Sequence, residues 1–412
     1  MLRAGASSDP NDLGARPVVV PSSRRIVSLD QYRGYTVAGM FLVNFLGGFA
    51  VTPALLKHHH TYCSYADTIM PQFLFAVGFA FRLTFGRRAS VQGLSSAYRR
   101  VARRLGALAL LAIVLYTLGA GLSVWRGLPE RGAWDVLGEL FKRHWFQTLL
   151  HIAVTTLWIL PVIRAGAAVR IGYLMFSAGA HVALSYWFNF AWVNSPPRGI
   201  DGGPLGFLTW SIPALVGTLA CDAMVSETHG PRPGKLLAWS VVLMVLGYAL
   251  SCGTRLYDIP GAEKNATPAG MADSPVLFSL DRVRGRDLSS LLAEPPFVPP
   301  PGPAERAPNY WMMSQRSGSV SYQTFAAGFA LAVFVLFHLG CDRLGWQLGL
   351  FRTLGTNALA AYVLGGMLEM AVKGFVPRDA PWWQVMAAFA GFFACAYLLV
   401  RLLERKGLLL RL

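Results

Sequence analysis

Apolar runs of near-bilayer length recur along the chain, at about residues 35–53, 68–85, 104–122, 145–163, 171–190, 205–224, 236–252, 320–340, 353–372 and 383–403. A helix needs roughly 20 apolar residues to cross the hydrocarbon core, and lipid leaves its backbone groups no partner outside the segment, so these runs predict transmembrane helices. Ten of them make an all-α polytopic membrane protein. The polar intervals divide the chain into a tail over 1–25, seven helices within 26–252, a Pro-rich insertion over 253–318 and three closing helices within 319–412. The insertion holds Asp258, Glu263, Lys264, Arg282, Arg284, Arg286 and the run from Pro295 to Pro303. It is too polar for lipid, and its prolines oppose a long helix. It reads as an extracytoplasmic cap over the mouth of the bundle or as a linker, and composition fits both.

Orientation follows from the arginines, because Lys and Arg in short loops stay on the cytoplasmic side. Arg24, Arg25 and Arg33 precede or open the first run, Arg87, Arg88, Arg99, Arg100, Arg103 and Arg104 follow the second, and Arg401, Arg405, Lys406 and Arg411 close the chain. Ten crossings put all of these on one face, so both termini are expected in the cytoplasm and the His58–His60 loop outside. The first 25 residues lack the apolar core of a cleavable signal peptide, so the first run is expected to serve as its own insertion signal.

Composition agrees: 54% of residues are hydrophobic and 14% charged, which excludes an ordinary soluble domain. The net charge of +16 sits in loops rather than in a basic soluble domain with aromatic RNA-binding motifs. That pattern excludes nucleic acid and favours anionic lipid heads or a phosphate-bearing substrate. The five cysteines form no CxxC pair, although Cys63 and Cys252, both expected near the outer face, could join. No internal repeat is evident, which weighs against a transporter.

Candidate chemistry concentrates between residues 26 and 85, since polar groups at a membrane boundary are costly to keep. Asn44 ends the first run, His58, His59 and His60 occupy the loop, and Asp67 opens the second run. Asp67 can stabilise a helix N-terminus and can also fix a histidine's tautomer. Asn44 is either an interhelical hydrogen-bonding group or part of a site. Asp30 and Arg33, spaced i and i+3, can pair at the inner interface. Three adjacent histidines diverge on regular backbone and no His-x-x-x-His accompanies them, so no dedicated metal site is expected. Late in the chain, Asn357 and Tyr362 lie within an apolar run beside Gly355.

In order along the chain, Ser28-Leu-Asp30-Gln-Tyr-Arg33-Gly34, Val43-Asn44, the histidines and Ala66-Asp67-Thr-Ile-Met-Pro71-x-Phe-x-Phe-x-x-Gly78 resemble the opening of the heparan-α-glucosaminide N-acetyltransferase family. Phe146-Gln147-Thr-Leu-Leu-His-Ile-Ala-Val, Asp201-Gly-Gly-Pro-Leu-Gly206, Ile212-Pro-Ala-Leu-Val-Gly217, Ser314-Gln-Arg-Ser-Gly-Ser-Val-Ser-Tyr322 and Leu354-Gly355-Thr-Asn357-Ala-Leu-Ala-Ala-Tyr362 continue the likeness. The family's Trp-Asn-Gly after the histidine is replaced here by Thr61-Tyr62-Cys63-Ser64. The resemblance implies transfer of an acetyl group from cytoplasmic acetyl-CoA to an amino sugar on the other side of the membrane, and by analogy a homodimer.

On that implication the essential histidine is His58 first and His59 second, acting as general base or as a transient acetyl carrier. Asn44 would polarise the thioester carbonyl or orient the histidine, aided by Asp67. Arg33, paired with Asp30, and Arg87 and Arg88 would meet CoA phosphates, while Asn357 and Tyr362 would face the CoA or acceptor cavity. A bacterial inner membrane is the expected setting. The rival readings are O-acetylation of an envelope polysaccharide, transport of a small anion or sugar, and an inactive relative that keeps only the fold.

Overall fold

The computed structural model describes residues 26–126, 128–225, 230–260, 270–278, 282–284 and 287–408. The tail 1–25, with Arg24 and Arg25, and Glu263, Lys264, Arg286 and Arg411 of the charge pattern lie outside the described residues.

Among the described residues the chain is all-helical, with an isolated bridge between Asp258 and Arg306 as its only extended pairing. The long helices are α1 (Val27–Leu46), α2 (Tyr65–Gln92), α3 (Leu94–Gly119), α4 (Thr148–Ile159), α5 (Ala167–Leu184), α6 (Phe207–Val225), α7 (Pro233–Ser251), α8 (Val320–Phe337), α9 (Gly349–Thr356), α10 (Ala358–Lys373) and α11 (Trp382–Arg405). Seven described helices are long and apolar enough to cross a membrane, and an eighth span exists if Ala133–Trp145 and Thr148–Val162, bent by 79°, count as one. Such helices make this an integral membrane protein. The spans built on α2, α6 and α8 bury 61 to 78% of their apolar windows inside the protein, whereas those on α3, α5, α7 and α11 bury 22%, which separates an inner layer from an outer, lipid-facing one.

Two of the ten expected spans fall short of that apolar measure, for different reasons. α1 starts at Val27, well before the apolar run, because its early polar residues find protein partners: Ser28 Oγ donates to Asp342 Oδ2 at 2.5 Å, and Gln31 exchanges hydrogen bonds with the Leu348 backbone. The run 353–372 is two helices, α9 and α10, broken at Asn357 (φ −125°, ψ 44°).

Close crossings hold the inner layer together. A Cβ on Gly78 would overlap the Ala214 carbonyl and one on Gly217 the Phe75 carbonyl, so α2 and α6 touch backbone to backbone. Gly34 and Gly355 do the same for α1 and α9. In the last turn of α6 the partly exposed Asp222 receives both Arg82, at 2.8 Å, and the fully buried Arg170.

The described part of the Pro-rich insertion is docked on the bundle, which decides between cap and linker. Phe297 N–H donates to the Cys63 carbonyl at 2.9 Å, and its ring meets Phe325 and Phe329 of α8. Tyr248 of α7 donates to the Ala293 carbonyl at 2.7 Å, and Tyr310 reaches His181 of α5 at 2.8 Å. Within the cap Arg306, 1% exposed, binds Asp258 at 2.5 Å and Glu294 at 2.6 Å. Removing that guanidinium leaves Asp258 and Glu294 to Arg255, at 2.9 and 3.6 Å, so Arg306→Ala should cost about 1–3 kcal/mol locally. The check is a lowered unfolding midpoint of the detergent-solubilised protein by intrinsic tryptophan fluorescence. All five cysteines are free, so Cys63 and Cys252 are not joined.

Candidate active site

Local sequence builds the first part of the site at the start of α2. Ser64 and Asp67 form a capping box: Ser64 N–H donates to Asp67 Oδ2 at 2.9 Å, and Asp67 N–H donates to Ser64 Oγ at 3.3 Å. Asp67, 1% exposed, keeps its other oxygen for the loop, where His58 Nδ1 lies 2.9 Å from Oδ1. An ionised carboxylate only accepts, so Nδ1 carries the proton and Nε2 is left as a lone-pair nitrogen. Asp67 thus caps the helix and orients the histidine. Tyr322 of α8 donates to the Asp67 carbonyl at 2.5 Å.

The second part comes from far along the chain. Asp201 stands at φ 54°, a left-handed conformation that the turn into Gly202 imposes, and is 3% exposed. Its Oδ1 accepts from Gln315 Nε2 at 3.0 Å and its carbonyl from Trp210 Nε1 at 2.8 Å. Gly202 N–H donates to the Arg316 carbonyl at 2.8 Å, which joins this turn to the end of the cap. Asp201 and Gln315 both act on the His58 ring.

These neighbours set the protonation. Burial works against charge on His58, but the Asp67 hydrogen bond and charge, then Asp201, outweigh it and hold the imidazole above its usual 6.5. The His58 side chain remains 39% accessible. Burial pushes the Asp201 carboxyl up to about 7, against the pull of His58 and Gln315. His58 and Asp201 therefore each favour the charged form of the other.

The remaining predicted residues divide. His59 is turned away: its Nε2 meets the Ala54 carbonyl at 2.8 Å and its ring stacks on Tyr62. Asn44 is exposed in the last turn of α1, where its carbonyl accepts from Lys373 Nζ at 2.6 Å. An exposed amide has no desolvation cost to offset, and no described contact links it to His58. Asn357 is buried at the α9–α10 break and its amide donates to the Leu408 carbonyl at 3.1 Å, so it ties the bundle to the chain's end rather than facing a cavity.

Asp30, Arg33, Arg88 and Tyr362 come together. They line one cavity of about 660 Å³ with Arg104, Thr148, Thr356, Leu359 and Glu404. Arg87 is exposed outside it. Tyr362 Oη lies 2.9 Å from Tyr116 Oη, which accepts from Leu149 N–H.

A second cavity, of about 610 Å³, is lined by His60, Arg143, His144, Gln147, Arg198, Ile200 and Arg316. The cavities open at opposite ends of the bundle, since the first is walled by the start of α1 and the second by the loop beyond its end. They meet at the helix break: Gln147 lines one and its neighbour Thr148 the other. Asp201 follows Ile200, which lines the second cavity.

No protein-family model matches the chain, and no curated protein matches it. Asp201 and Gln315 were not singled out as site residues from sequence. The only signal was their place in two of the segments that carried the sequence resemblance, because their role comes from burial and from a contact spanning more than a hundred residues.

Proposed function

We propose that this protein is a transmembrane acetyltransferase that takes the acetyl group of acetyl-CoA on the cytoplasmic side and passes it to an amine of an amino sugar on the other. One observation carries the reading: an Asp67–His58 pair lies in the loop whose His60 lines the outer cavity, and the lining of that cavity comes within one residue, at Gln147 and Thr148, of the lining of the arginine-rich cavity. A transfer across the membrane needs a proton acceptor at such a partition. The arginine-rich end is taken as cytoplasmic, with both termini there, following the positive-inside bias. Ten crossings result when α1 and the α9–α10 pair are counted with the eight apolar spans. α1 is largely covered by neighbouring helices, so its surface need not be apolar all round. The setting is taken to be a bacterial inner membrane, possible acceptors being envelope glycans.

Arg33, Arg88 and Arg104 suit the phosphates of CoA, and the apolar wall of Phe73, Ala76, Val77 and Leu359 suits its pantetheine arm. The chain's own chemistry is proton handling. As the acceptor amine attacks the thioester carbonyl, His58 Nε2 takes the amine proton while Asp67 stabilises the imidazolium. The C–S bond then breaks and the proton leaves with the CoA thiolate, which restores neutral His58. The same nitrogen could first accept the acetyl group and then release it to the amine. A hydroxyl acceptor would use the same machinery, which keeps O-acetylation as the alternative acceptor chemistry.

The test is transfer of labelled acetyl from acetyl-CoA to glucosamine by protein purified into lipid nanodiscs. Labelled N-acetylglucosamine is expected. Histidine-dependent hydrolysis of acetyl-CoA without sugar labelling would keep the acyltransferase and reject this acceptor. Inertness toward acetyl-CoA, with sugar uptake into vesicles, would sink the enzyme reading in favour of transport.

A further inference from the structure

The outer cavity carries a charge pattern that neither topology nor proton transfer accounts for. Arg143, Arg198 and Arg316 line it together with His60 and His144, and no carboxylate is among its lining residues. The positive-inside bias explains arginines at the other end of the bundle and predicts few here. Among the described residues none of the three has an ion-pair partner, and the acid nearest His144, Glu139, is already held by Arg131 at 2.8 Å.

Their mutual repulsion is felt. Arg316 is pushed down to about 10, first by burial and then by Arg198 and Arg143, and His60 is pushed down to about 4 by burial and then by Arg316. Three uncompensated guanidiniums around one concave, water-filled space form an anion site, since planar forked donors bind carboxylate and phosphate bidentately. Lys142 does not contribute a free charge to it, because its Nζ is held by the Ser195 carbonyl and hydroxyl at 2.9 and 3.0 Å.

The position of the cluster relates it to the proposed chemistry. Arg316 follows Gln315, the partner of Asp201, and His60 lies two residues from His58. We infer that the outer cavity recognises an anionic group on the acceptor, so that the amino sugar taken is one bearing a carboxylate or phosphate, clamped by Arg143, Arg198 and Arg316. The word acceptor rests on the acetyltransferase reading; the anion site does not.

The experiment is therefore a binding measurement without acetyl-CoA. Full-length protein in phosphatidylcholine nanodiscs is titrated with glucosamine 6-phosphate and with glucosamine, binding being read by calorimetry. The phosphorylated sugar should bind at least about tenfold more tightly, and Arg316→Gln should erase most of that difference. Arg198→Gln, at an exposed position, provides a variant with little risk to folding and should lose about tenfold toward the phosphorylated sugar alone. Equal affinity for the two sugars would overturn the inference, as would indifference of the phosphorylated sugar to both substitutions. Loss of sugar-phosphate binding when the discs contain phosphatidylglycerol would assign the cavity to a lipid headgroup and overturn it too. Sugar-phosphate binding in a protein that fails to transfer acetyl would uphold the site and reject the acetyltransferase reading.

Discussion

His58→Ala should reduce acetyl transfer by about 10³-fold or more, while His59→Ala stays within a few-fold of the parent. The two histidines are adjacent and both accessible, so composition, charge and expression are almost the same in the two variants. They differ in engagement: His58 is held by Asp67 at 2.9 Å, whereas His59 is spent on the Ala54 carbonyl and the Tyr62 ring. Initial rates with labelled acetyl-CoA at saturating glucosamine decide the matter. Equal losses in both variants would mean that the loop as a whole, rather than one ring, is required.

Asp67→Asn should lower the plateau rate by about 10² to 10⁴-fold and also move the pH profile. An asparagine can still accept from Ser64 N–H, so the cap on α2 survives in part. It cannot stabilise an imidazolium, and it can offer an N–H to Nδ1, which favours the wrong tautomer. With Asp67 present the folded His58 pKa lies above 6.5, so the active neutral form grows as pH rises through a value above 6.5, and the rate follows. The same raised pKa adds stability that is complete below 6.5 and is lost as pH climbs through the folded value. Asn at 67 removes the largest favourable influence on the imidazolium, so the inflection in kcat/KM should fall. A reduced plateau with an unmoved inflection would reduce Asp67 to a helix cap.

Hydropathy made the outer helices legible because a lipid-facing helix has no means of hiding polar groups. It mis-set α1, whose Ser28 and Gln31 pair with Asp342 and the Leu348 backbone more than three hundred residues away. It also passed over the break at Asn357, which separates two apolar segments and leaves the average unchanged. Of the site, the nine-residue interval between His58 and Asp67 was readable because both partners lie in one loop and the helix it enters. Asn44 and Asn357 share one ambiguity: a polar residue in an apolar run signals a partner, and sequence does not say which; for Asn357 one partner is the Leu408 carbonyl. Asp201 stands in the turn before α6, at φ 54°. Its second role depends on burial under a cap whose docking residues, such as Phe297, carry no chemical signature.

The thin partition between Gln147 and Thr148 also shapes the electric field inside the protein. On the proposed reading, with each cavity open to its own aqueous phase, much of the membrane voltage would fall between the two cavities rather than across the full hydrocarbon thickness. A unit charge moved through that wall exchanges roughly 2.3 kcal/mol with each 100 mV of potential. On the acetyltransferase reading a neutral acetyl group crossing there would do no electrical work, whereas the proton passed from the acceptor amine to the CoA thiolate would, which would tie the reaction to the energised state of the membrane.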